Sequence, residues 1–113
     1  MADAARREES DGVWLEALPL DELWEGEMVG LRLGETDVLL INLGQDGVHA
    51  YHDRCPHAQS LLSEGRLRAA TVQCAAHLWE FDARTGDSVN PRNCKLRRYP
   101  VKIVEGVVLV QTA

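Results

Sequence analysis

Two short runs in this chain concentrate metal-binding chemistry: Cys55-Pro56-His57 and Cys74-Ala75-Ala76-His77, with sixteen residues, 58 to 73, between them. Each run offers one thiolate and one imidazole, and together they make a complete four-ligand set. Pro56 stiffens the first run, and Ala75-Ala76 leaves room in the second. A single zinc ion accepts two sulfurs and two nitrogens. Zinc sites of that composition usually pair Cys with Cys and then His with His. Their spacing is also wider than the single residue between Cys55 and His57. The alternating order suits two irons bridged by sulfide, one holding both cysteines and the other both histidines. On the residues alone both metals stay open.

The other candidates read more plainly. His49 and His52 fall in or just after an expected strand, as hairpin histidines. Cys94 stands outside both runs and reads as a small packed residue. Trp79 either keeps water from the metal or fills the core, and Leu62 reads as core. The sequence has no Gly-rich phosphate loop and no serine-nucleophile elbow.

Composition removes several classes of function. A chain of 113 residues has room for one ordinary domain. That is too little for an oxygenase with its own catalytic iron domain, or for a two-domain reductase. With 12 Lys and Arg against 18 Asp and Glu, the formal charge is -6, so no nucleic-acid partner is expected. No membrane span is expected either, because no uninterrupted apolar run is longer than four residues, as at Val38 to Ile41, which is far too short. MADAARREESDG has no apolar stretch of the kind a secretion signal needs, and three cysteines are too few for a disulfide scaffold. The expected compartment is therefore the reducing cytoplasm, where thiols can hold metal. Charge is uneven: residues 1–47 carry twelve acids and three bases (-9), and residues 48–113 carry six acids and nine bases (+3). That reads either as a solvated surface with an acidic tail or as a polarity that orients the molecule on charged partners.

The elements that must position the two runs read as all-β. Residues 1–12 are polar and aperiodic, an expected flexible tail, leaving 13–113 as the domain. Strands are expected over Val13 to Ala17, Val29 to Leu33, Val38 to Leu43, Val48 to Tyr51, Thr71 to Cys74, Leu78 to Phe81, Tyr99 to Ile103 and Val107 to Gln111. Pro19 to Gly26 allows one helical turn. Gly44-Gln45-Asp46-Gly47, Arg84 to Asp87 and Glu105-Gly106 read as turns. Short strands with regular turns imply a small sandwich or barrel. Each metal-binding run lies just beyond a strand, where a loop tip can present two side chains to one point.

The pattern C-x-H, sixteen residues, C-x-x-H resembles the Rieske-type [2Fe–2S] proteins, over about residues 13–112. AHLWEFDARTGDSVNPRNC followed by YPV is most similar to the ferredoxin component of bacterial multicomponent toluene and alkene monooxygenases. The resemblance implies an antiparallel β-sandwich with a small cluster-binding subdomain, its loops at about 53–63, 74–80 and 88–94. It implies one [2Fe–2S] cluster, with Cys55 and Cys74 on one iron and His57 and His77 on the other. Gln59, Trp79 and Pro91 are then candidates for the surroundings of the cluster or its docking face, with Asn90-Pro91 in the third loop. The implied role is a one-electron carrier with no substrate of its own. It would take electrons from an NADH-dependent reductase with flavin and iron–sulfur centres and give them to a di-iron hydroxylase. It would be monomeric, with transient complexes. Competing readings are the ferredoxin of a ring-hydroxylating dioxygenase, the small Rieske subunit of a nitrite reductase and, in another class, a zinc-binding interaction module.

High-potential members of that family resemble one another in a disulfide between the cluster loops and in Ser and Tyr hydroxyls two and four residues after the second His. Those two places here hold Trp79 and Phe81, and Ala58, Gln59, Ala75 and Ala76 offer no disulfide. Hydrogen bonds to sulfur favour the more negative, reduced state. Their absence implies a potential near the low end of the family range, about -150 mV.

Overall fold

The computed structural model describes residues 13–55, 61–75, 79–90 and 94–112. Among these there is no α-helix. Eleven strands run β1 Trp14–Pro19, β2 Met28–Leu33, β3 Thr36–Asn42, β4 Val48–His52, β5 Arg66–Arg68, β6 Thr71–Gln73, β7 Glu80–Asp82, β8 Ser88–Asn90, β9 Arg98–Tyr99, β10 Val101–Val104 and β11 Val107–Gln111. They form three sheets, ordered β1-β11-β10, β2-β3-β4-β9 and β5-β6-β7-β8, with every pairing antiparallel.

Strand β3 explains how the layers stack. Val38, Leu39, Leu40 and Ile41 are all fully buried. Successive side chains of a strand point to opposite faces, so a strand apolar on both faces must be covered on both. Val38 and Leu40 pack with Ala50, Tyr99, Val108 and Val110, toward the β1-β11-β10 sheet. Leu39 and Ile41 pack with Tyr51, Leu62, Val72 and Phe81, toward the β5–β8 sheet. The middle sheet is thus the wall shared by a sandwich and by the small subdomain expected from the sequence. Tyr51 on β4 crosses the second boundary: its hydroxyl donates to the carbonyl of Ala83 at 2.7 Å. Gly86, at φ +84°, lies so close beneath the Tyr51 ring that a Cβ would meet a ring carbon at 2.9 Å.

Several boundaries differ from the sequence reading. The first strand starts at Trp14 and continues to Pro19, with a bulge between Glu16 and Leu18. The helical turn is a 3-10 turn at Leu20–Glu22, and a second 3-10 turn, Gly44–Asp46, joins β3 to β4. Strands β5 and β8, each three residues long, were not expected, and β8 occupies the start of the expected third loop at 88–94. The alternating run Tyr99 to Ile103 is not one strand. It divides at Pro100 into β9, in the middle sheet, and β10, in the outer one. Proline lacks the N–H that a continuing ladder needs, and its carbonyl instead accepts the Gln111 N–H at 3.1 Å. Glu105 and Gly106 both adopt positive φ (51° and 81°), the conformation of a tight two-residue hairpin.

Candidate metal centre

The small subdomain brings the two cysteine loops to one core. Cys55 follows β4 and Cys74 follows β6, and both are fully buried in the same apolar cluster as Leu39, Leu62, Phe81 and Ala83. Cys94 is only partly buried and packs against the edge of that cluster, as expected of a packed residue. His57 and Gln59 in the first loop, His77 in the second and Pro91 in the third lie outside the described residues, so the imidazole half of the predicted ligand set is a matter of sequence. The described half fits an iron–sulfur group. Two thiols sit out of water at the mouths of adjacent loops, where thiolate charge can be matched by metal and desolvation protects the bond.

Each of the three expected loops is closed at its base. In the first, the Asp53 carboxylate, 2% exposed, accepts the Ser63 N–H at 2.8 Å and the Ser63 hydroxyl at 2.7 Å. In the second, the Cys74 N–H donates to the Trp79 carbonyl at 2.7 Å. In the third, the Ser88 N–H donates to the Cys94 carbonyl at 2.9 Å, while the Cys94 N–H donates to the Ser88 hydroxyl at 2.9 Å. The entry to the first loop has a further anchor on β3. The Asp53 N–H donates to the Asp37 carbonyl at 2.9 Å, and the Arg54 guanidinium meets the Asp37 carboxylate at 2.8 Å. The hydrogen bond from Arg54 holds the Asp37 carboxyl below the usual carboxylate range, with Arg54 and Arg32 charges adding to it against partial desolvation.

Trp79 is partly buried against the same core, its ring tilted over Phe81 with centroids 6.4 Å apart. It therefore packs on the edge of the core at the foot of the second loop. Outside that loop an open groove of about 600 Å³ runs between Glu64, Gly65, Arg66, Gln73 and Ala75. The other two histidines have hydrogen-bond partners of their own. His49 Nε2 meets the Asp46 carbonyl at 2.7 Å and Nδ1 meets the Arg98 guanidinium at 3.0 Å. His52 Nδ1 meets the Tyr99 hydroxyl at 3.3 Å. Sequence reasoning missed Asp53 and Ser63. The trace of them in the sequence is a carboxylate two residues before Cys55 and a hydroxyl eight residues after it, a spacing that does not by itself bring the two together.

The chain's likenesses agree with this centre. The sequence profile of the Rieske [2Fe–2S] domain matches residues 13–100. The ferredoxin component of the alkene monooxygenase system of Xanthobacter autotrophicus is 37% identical over 110 residues, spanning 96% of this chain and 89% of that one. The anthranilate 1,2-dioxygenase ferredoxin subunit of Burkholderia cepacia is 35% identical over 92 residues, spanning 80% and 84%. Among solved structures, a complex of reduced oxygenase and oxidised ferredoxin in carbazole 1,9a-dioxygenase contains a chain that superposes with a TM-score of 0.79 at 27% identity, covering 89% of this chain and 94% of that one.

Proposed function

This chain belongs to the Rieske [2Fe–2S] domain family and, like its ferredoxin relatives, is an electron carrier rather than a catalyst; on that premise we propose that it passes single electrons from an NADH-dependent flavin and iron–sulfur reductase to the di-iron hydroxylase of a hydrocarbon monooxygenase. The single observation that carries the choice of partner is the 37% identity, over 96% of this chain, to an alkene monooxygenase ferredoxin. The dioxygenase reading keeps a place because the anthranilate dioxygenase ferredoxin is nearly as similar.

We assign Cys55 and Cys74 to one iron and His57 and His77 to the other. When bound, the cluster supplies reversible one-electron transfer. Two ferric ions, two sulfides, two thiolates and two neutral imidazoles sum to zero charge, which makes reduction easier than at an all-cysteine cluster. The protein's own contribution is position. Buried Cys55 and Cys74 anchor the sulfur side in an apolar core, and loops closed at their bases limit movement between the two oxidation states. Small motion on electron transfer means little reorganisation, and contact with either partner can be brief and small in area. Gln59, Trp79 and Pro91 are assigned to the surroundings of the docking face.

Reconstitution tests the partner. With NADH, reductase and hydroxylase, adding this chain is expected to raise turnover of an alkene or arene at least tenfold over the mixture without it. Equal or greater stimulation of a ring-hydroxylating dioxygenase, with none of the di-iron enzyme, would reassign the partner.

A further inference from the structure

We propose that Asp53 is a positioning residue: with Ser63, and against the bare backbone of Gly30, it locks the two feet of the first ligand loop together and so fixes where Cys55 stands. The proposal rests on the electron-carrier reading for the role of Cys55, but not for the lock itself. Asp53 uses both carboxylate oxygens on one residue, Oδ1 accepting the Ser63 N–H and Oδ2 accepting the Ser63 hydroxyl. The nine residues between them, 54 to 62, contain Cys55 and His57. Beside the pair lies Gly30 of β2, where a Cβ would overlap Ser63 Oγ and Asp53 Oδ2. Any other residue at position 30 pushes the lock apart. Next to Ser63, fully buried Leu62 packs in the same cluster as Cys55 and Cys74, so the far foot is tied to the sulfur core as well.

A carboxylate in such a place is costly beside an apolar pair of the same volume, and in this proposal what it gains is specificity of geometry rather than stability. The specified geometry here is that of a loop two residues from the thiolate. Opening the lock frees the first loop while leaving the second, closed by Cys74 and Trp79, untouched.

The test compares Asp53→Ala, Ser63→Ala and Ser63→Thr with Val108→Ala, which lies in the other core cluster and serves as a control for plain loss of stability. In the cluster-loaded full chain, Asp53→Ala, which removes both acceptor oxygens, is expected to lose iron to a chelator about tenfold faster and to shift the g values of the reduced cluster. Ser63→Ala, which keeps the bond from the backbone N–H of residue 63, shows the same effects at smaller size, and Ser63→Thr restores wild-type behaviour. Val108→Ala lowers the melting temperature with g values unchanged. Asp53→Ala and Ser63→Ala indistinguishable from Val108→Ala at matched melting temperature would overturn the proposal. Should Asp53→Ala fail to fold, Ser63→Ala decides alone. A wild-type chain that takes up no iron and sulfide defeats the electron-carrier reading instead. The lock is then judged by alkylation, with Cys55 in Ser63→Ala expected to react about tenfold faster and Cys74 unchanged; equal rates at both would overturn it.

Discussion

Cys55 and Cys74 differ from Cys94 in what encloses them. The first two are fully buried at the mouths of loops, whereas Cys94 is a partly buried packing residue at the core's edge. Replacing Cys55 or Cys74 by Ser, or His57 or His77 by Ala, is expected to abolish the visible absorbance of the purified protein and lower its melting temperature, because metal binding contributes folding energy. Cys94→Ala should keep the spectrum, and a bleached Cys94→Ala protein would give that thiol a larger role. Asp37 makes a separate prediction at the acid end. Its folded pKa lies below the unfolded value of 3.8, so the unfolded chain protonates first. The Asp37–Arg54 contribution is then complete above pH 3.8 and is lost as pH falls through the lower, folded value. Asp37→Asn should flatten that part of the acid limb of a melting-temperature profile. The proposed ligand residues stood out as candidates because they come in two short runs whose types and order are themselves chemistry. Asp53 and Ser63 did not, since nothing local in the sequence brings a carboxylate and a hydroxyl ten residues apart into contact.

The strand that divides the two cores gives an experiment on elements. Leu40 and Ile41 are neighbours on β3 and both fully buried, but they face different sheets. Each should cost about 2–5 kcal/mol when replaced by Ala. Only Ile41→Ala should also disturb the reduced cluster's paramagnetic signal, because only Ile41 packs on the core that holds Cys55 and Cys74. Tyr51, on β4, joins the middle sheet to the turn after β7. Burial pushes its hydroxyl pKa up to about 12 from 10.0, with Asp82 and Asp87 adding to the rise and Arg98 opposing it. The unfolded chain therefore loses this proton first as pH rises, and the contribution of neutral Tyr51 is complete below pH 10.0 and lost on the way to about 12. Tyr51→Phe should show a shallower fall in melting temperature over that window, the remainder coming in part from Tyr99, which burial also raises. The continuous apolar run at Val38 was readable as a strand, although nothing in it named the two layers that cover it. Strands β5 and β8 were unreadable because β5 has an arginine on each side of its one apolar residue, Leu67, and β8 runs into Asn90-Pro91, a turn signal. The division at Pro100 was hidden because alternation continues across it, yet Ile103, in phase with Tyr99 and Val101, is 44% exposed on the edge strand of its sheet.

For the whole molecule, a small β subdomain carries the loops on a sandwich, and the carrier role rests on the likeness to Rieske ferredoxins. Its charge acts at the same scale. With -9 on residues 1–47 and +3 on residues 48–113, the rate of association with a charged partner should change steeply with salt between about 10 mM and 200 mM, where screening lengths fall from about 30 Å to under 10 Å. Stopped-flow oxidation of the reduced protein by the hydroxylase measures that rate, and independence from salt would leave the polarity as solvated surface. A redox titration should place the potential near the low end of the family range, about -150 mV, since the hydroxyl-bearing places hold Trp79 and Phe81. Among the described residues no helix is long and apolar enough to cross a membrane. The central claim, that Cys55 and Cys74 hold one iron while His57 and His77 hold the other, is tested most directly by Mössbauer spectroscopy of the oxidised, iron-57-labelled protein. Two quadrupole doublets of equal area, one with the isomer shift of a sulfur-bound ferric site and one shifted by nitrogen ligation, are predicted. A single doublet from two equivalent irons, or protein holding zinc in place of iron, would contradict it.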